Sequence, residues 1–209
     1  MQKVNDLKAD QLRKDFGDDF VDKVTASALG KTVSKLQTYV SKEIRQKYNI
    51  KAADVKRHAK KMKLIKGHRN FQKASILYKG RSLSFMDFGA REKRVTLGRK
   101  TKKGRPWGRF RKGASVQILK NRPRGLVSSK PGFIAAGQNG NKQVFYRDTK
   151  NKTSRSGKVR LHAMKGPSIP RMVLSSDGDF GEAYDVFAAQ EFDTEFDRAT
   201  DYYLSKMNG

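Results

Sequence analysis

Between Lys93 and Arg147 the chain carries sixteen Lys and Arg residues and not one Asp or Glu. A second acid-free stretch, Val55 to Lys73, holds eight Lys and Arg together with His58 and His68. The acids collect elsewhere. From Asp177 to Asp201 nine carboxylates accompany a single base, Arg198, so this segment carries −8; with a formal total of +27, the rest of the chain carries +35. Any fold must separate the like charges of the basic body and place the acidic segment where it offsets them. An excess of this size attracts polyanions. Oppositely charged parts of one chain can also pair between neighbouring copies and set their orientation.

The charge leaves limited apolar material, 36% of 209 residues, which suits one domain or one domain with an extension. Twelve Phe, seven Tyr and one Trp supply bulk for a core. The absence of cysteine excludes a disulfide framework, a Cys-ligated zinc and a thiol nucleophile. No run of even ten apolar residues occurs, so no transmembrane helix and no membrane partner are expected. The opening residues, Met1 to Asp6, lack the apolar stretch of a secretory signal, and a protein made and assembled in the cytoplasm is expected.

Periodicity divides the chain. Leu12, Phe16, Phe20, Val24 and Ala28, then Val33, Leu36, Val40, Ile44 and Tyr48, recur at helical spacing, with a break expected at Gly30 and an end at Asn49. A short helix is expected from about Ala52 to Lys61, its Asp54 and Lys60-Lys61 matching the helix dipole. The middle holds strand-like runs at 75–78, 83–88, 94–97, 114–119, 132–135 and 143–146, separated by glycines. Gly89 followed by Ala90 suits a tight bend. After Ser175-Ser-Asp177, a helix-start signal, Ala188, Phe192, Phe196, Ala199 and Tyr203 share one helical face. The class is α+β: N-terminal helices (1–62), a mainly antiparallel, β-rich basic body (63–172) and an acidic, amphipathic C-terminal helical extension (173–209).

Catalytic patterns fail on inspection. Gly30-Lys31-Thr32 resembles the end of a phosphate-binding loop, but Thr25 stands where that motif needs glycine and the preceding stretch is helical. Asp177-Gly-Asp179 begins like a calcium loop, but Gly181 and Ala188 stand at its fifth and twelfth positions. His58, His68 and His162 are scattered among cations, and Asp87, Glu92 and Asp148 are isolated, so no metal site, cofactor or catalytic residue is expected. The segment Gly98–Gly113 suits phosphate contact better. Its Lys100, Lys102, Lys103, Arg105, Arg109, Arg111 and Lys112 interleave with Trp107 and Phe110, and Arg122 and Arg124 follow. A hairpin tip packed on its own sheet would show the same composition.

Ordered motifs go further than composition. Ala28-Leu-Gly-Lys-Thr32 leads to Lys42-Glu-Ile-Arg-Gln-Lys-Tyr-Asn-Ile-Lys-Ala-Ala-Asp-Val55, then to Gly80-Arg-Ser-Leu83 and Phe88-Gly-Ala-Arg91. Ala114-Ser-Val116, Lys130-Pro-Gly-Phe-Ile-Ala135, Val144-Phe-Tyr-Arg147 and Gly166-Pro-Ser-Ile-Pro-Arg-Met172 follow. This order, from about Ala28 to Met172, resembles the prophage minor tail protein Z family of tailed bacteriophages. The acidic tail lies beyond these motifs. The resemblance implies a non-catalytic virion protein that completes the head-proximal end of the tail, at the head–tail neck around the DNA path. It implies a ring of identical subunits, a hexamer from the sixfold symmetry of tails, meeting a tail terminator, tail tube or other neck proteins and packaged DNA. Ring closure needs two different patches per subunit. The basic residues named above would meet DNA or the next ring. Phe192 and Phe196 are expected to pack on the chain's own core; the alternative is a subunit interface formed by Phe192, Phe196, Asp193 and Asp197. The alternative function is a cytoplasmic nucleic-acid-binding protein of ribosomal or nucleoid type.

Overall fold

The computed structural model describes residues 2–66, 72–96, 110–127, 132–137, 139–152, 159–174 and 180–207. Its class is mixed α+β, with N-terminal helices, small antiparallel sheets and a C-terminal helix. The chain forms two compact units. One comprises residues 1–43, 56–79 and 170–209, and the other comprises 44–55 and 80–169. No helix of the described residues is long and apolar enough to cross a membrane.

In the first unit, helix α1 (Gln2–Phe16) gives way to α2 (Asp18–Lys47) at Gly17. Gly17 has φ +83° and donates its N–H to the Arg13 carbonyl at 2.9 Å, the left-handed helix end that glycine adopts at least cost. Asp18 and Asp19 then occupy the first turn of α2, where the helix dipole favours them. The expected break at Gly30 does not occur, and α2 runs through it. Ala28 and Val33, buried on either side, outweigh one glycine's propensity. The periodic Phe20, Val24 and Ala28 of α2, joined by Val21, pack with Phe196 and Ala199 of α5 (Phe180–Met207), while Phe16 of the same period is exposed. Ala9, Leu12, Phe192, Tyr203 and Leu204 close over them.

The same unit holds a two-stranded sheet, β1 (Ala59–Lys66) antiparallel to β2 (Gln72–Tyr78). The helix expected to reach Lys61 therefore stops early, as α3 (Ala52–Arg57). Lys79 donates its N–H to the His58 carbonyl at 2.9 Å, and Ala59 lies opposite Tyr78. Pairing with a distant strand overrides the local helical signal at residues 59–61.

The second unit is built from two three-stranded antiparallel sheets. One has the order β3 (Arg91–Thr96), β4 (Phe110–Val116), β5 (Gly125–Leu126); the other has β6 (Phe133–Ala136), β7 (Lys142–Lys152), β8 (Val159–Ala163). Ala114 and Val116 of the first, Ile134 and Val144 of the second, and Phe85, Met86, Ala90, Val127 and Met164 form its core cluster. The expected strand at 83–88 is a turn instead. Ser84 donates its N–H to Asp87 Oδ2 at 2.8 Å, and Met86 donates its N–H to Ser84 Oγ at 3.2 Å. These local bonds compete with ladder formation, and only the single bridge Ser84–Lys165 remains. The bend at Gly89 is present. Strand β8 was not anticipated, although Val159, Leu161 and Ala163 alternate with Arg160 and His162.

Pro170 is the second residue of α4 (Ile169–Leu174), where its missing N–H has no helical acceptor to lose.

Candidate interaction surfaces

The β3–β4 pair organises the basic segment. Its register sets Arg94 opposite Lys112 and Val95 opposite Arg111. Arg91 and Lys93 are exposed on β3. Lys100, Lys102, Lys103, Arg105, Trp107 and Arg109 lie outside the described residues; by sequence they belong to the connection between β3 and β4.

Arg122 and Arg124 separate into two roles. Arg122 is exposed in a turn whose carbonyls at Lys120 and Arg122 both accept from the Gln117 side-chain amide, at 3.2 and 3.0 Å. Arg124 is half-buried. Its Nη1 donates to the Gly89 carbonyl at 2.7 Å and to the Ser115 carbonyl at 3.2 Å, which ties the bend to β4. That guanidinium is engaged within the chain, and sequence reading alone could not distinguish it from Arg122.

The acidic helix α5 is likewise partly committed. Phe196 is only 3% exposed, and Phe192 stacks beside it at a centroid distance of 5.8 Å, so the structure places both rings in the chain's own core. Asp197 accepts from Lys8 Nζ at 3.1 Å, and Asp193 is half-buried and engaged within the chain.

The centre of this arrangement is Glu195, which was not anticipated. Its side chain is 3% exposed. Lys35 Nζ lies 2.6 Å from Glu195 Oε1 and 2.6 Å from Glu191 Oε2, Arg198 Nη1 lies 2.8 Å from Glu195 Oε1, and Lys31 Nζ lies 3.7 Å from Oε2. The hydrogen bond from Lys35, aided by Arg198, holds the Glu195 carboxyl below its usual range. The bonds from Lys35 to Glu191 and Glu195 hold the Lys35 amine above its own. The signal was present in the spacing. Lys31 and Lys35 are four apart on α2, Glu191 and Glu195 four apart on α5, so each pair shares a helical face.

Beside this network lies an aromatic group. Tyr39 stacks on Phe187 at 4.2 Å and meets Tyr184 edge-on at 6.0 Å. Burial pushes the Tyr184 hydroxyl up to about 12, with the Glu43 charge adding to it, and burial alone does the same at Tyr78. Among the described residues the Tyr78 hydroxyl has no hydrogen-bond partner.

These described surfaces are an ionic ribbon on β3 and β4 and a charged, aromatic face on α2 and α5. Residues 9–207 match the family model of prophage minor tail protein Z. The chain belongs to that family and is a phage tail protein. The match takes in the acidic helix α5, which the shared motifs, ending at Met172, had left outside. Comparison with curated proteins and with solved structures gives no significant match.

Proposed function

We propose that this chain is a non-catalytic virion protein that completes the head-proximal end of the tail, as a ring of identical copies at the neck around the DNA path. The observation that carries this reading is the family match, which spans the basic body and the acidic helix together. The charge distribution supports it. Exposed Arg91, Lys93 and Arg122, with Arg111 and Lys112 on β4 and the lysines and arginines of residues 99–109, supply sequence-independent phosphate contacts or a grip on the adjoining ring. A hexamer matches the sixfold symmetry of tails, and a tail terminator or tail tube protein is the adjoining layer.

Electron microscopy of particles from a host lacking the gene tests this directly. Tails that assemble to full length but fail to join filled heads, restored by the wild-type gene, are expected. Normal head–tail joining without the chain, together with tight, salt-sensitive binding of the purified protein to free RNA or DNA, would instead indicate a nucleic-acid-binding protein of the cytoplasm.

A further inference from the structure

Strands β3 and β6 are both outer strands of their sheets, and a groove of about 480 Å³ is lined by residues of both. Met86, Ala90 and Ile134 give it an apolar wall, and exposed Arg91 and Lys142 contribute two cations. Its one carboxylate, Glu92, is already engaged within the chain. Among the lining residues the two cations outnumber the one carboxylate. The groove therefore fits an amphipathic element that brings an apolar side chain flanked by carboxylates.

The chain itself contains one. On α5, Glu191, Glu195 and Asp197 pair with Lys35, Lys31, Arg198 and Lys8. Glu182 and Asp185 are exposed, and Val186 beside them is 52% exposed. These three stand at positions i, i+3 and i+4, so they share one face of the helix. The two carboxylates equal Arg91 and Lys142 in number and are opposite in sign, and Val186 suits the apolar wall.

We propose that this groove receives the Glu182–Asp185–Val186 face of α5 from a second copy of the chain. The contact is heterologous, one patch against a different patch, which is the kind of interface that propagates around a ring. It uses the helix-in-groove mode, with anchors one turn apart. The inference rests on the ring reading above and names its interface.

Charge reversal tests it in the full-length chain. The helix variant Glu182→Lys with Asp185→Lys, and the groove variant Arg91→Glu with Lys142→Glu, are each expected to weaken self-association at least about a hundredfold by sedimentation. Unchanged circular dichroism would show that each variant is folded. The chain carrying all four substitutions restores opposite charges across the contact and is expected to reassemble. If the wild type assembles and neither reversal weakens it, or if the fourfold variant stays dissociated, this interface is wrong while the ring survives. If the wild type is monomeric both in solution and in particles, ring and interface fall together.

Discussion

A Cβ atom placed on Gly166 would lie 2.5 Å from Cε2 of Phe88, inside the van der Waals envelope of a fully buried ring. Two motifs far apart in sequence, Phe88-Gly-Ala-Arg91 and Gly166-Pro-Ser-Ile-Pro-Arg-Met172, therefore meet in the fold. The Gly166 N–H also donates to the Leu83 carbonyl at 2.8 Å, so the backbone has little room to withdraw. Gly166→Ala is expected to destabilise the protein by about 1–3 kcal/mol, the usual cost of overpacking. Thermal unfolding measures it. A companion Phe88→Leu substitution, which vacates part of the space, should recover some of the loss in the double variant.

Phe196 offers a test of where its ring spends its packing energy. Truncation to Ala removes a buried aromatic from the α2–α5 cluster and is expected to cost about 3–5 kcal/mol of folding stability. Denaturant unfolding at low protein concentration is the measurement. A loss confined to high concentration, where copies associate, would place the ring against a neighbouring subunit instead.

The Glu195 network predicts a pH dependence with a definite sign. Its carboxyl sits below the ordinary value of 4.5, so the folded state gains from ionised Glu195 above pH 4.5 and loses that gain as pH falls through the folded value. The Lys35 amine is raised above 10.5, so its contribution is complete below pH 10.5 and is lost as pH rises beyond it. Melting temperatures recorded from neutral to acidic pH should therefore fall. Glu195→Gln should lower the neutral value and flatten the acid limb; an acid limb as steep as the wild type's would refute the assignment.

The buried tyrosines act at the opposite end of the scale. Tyr78 and Tyr184 have hydroxyls raised from 10.0 to about 12, because burial penalises the phenolate. Folding is fully compatible with both below pH 10 and loses stability as pH rises from 10 toward 12. A phenolate absorbance titration of the seven tyrosines should show two that ionise late, and Tyr78→Phe should remove one of them. Because the Tyr78 hydroxyl has no hydrogen-bond partner among the described residues, that substitution should cost no stability.

The helices were the most legible part of the sequence. An apolar residue every three or four positions survives the insertion of Gly30, and Phe20, Val24, Ala28, Val33, Val40, Ile44 and Tyr48 of that period are buried, while Phe16 is exposed and the buried Val21 falls outside it. Strands β6 and β7 were legible as short apolar runs bounded by glycines. The turn at 84–89 was misread because Leu83 and Phe85 alternate as a strand does, while Ser84 and Asp87 supply side-chain bonds that close the backbone first. Strand β1 was hidden because its lysines speak for solvent and its partner, β2, decides its conformation. Of the candidate contacts, composition marked the basic ribbon. It could not show that Arg124 is spent on two carbonyls, since that depends on residues distant in sequence, whereas the inward packing of Phe196 was the expected reading.

The α2–α5 cluster also constrains the order in which the protein can be made. Phe20, Val21 and Val24 leave the ribosome more than 170 residues before Phe196 and Ala199, which cover them. Throughout synthesis of the intervening residues this apolar stripe waits without its final cover, and Lys31 and Lys35 wait for their carboxylates. Residues 44–55 and 80–169 form the other unit, which contains its own cluster and can consolidate first. A nascent chain stalled before α5 should accordingly be protease-resistant across the sheets and cleaved readily within α2.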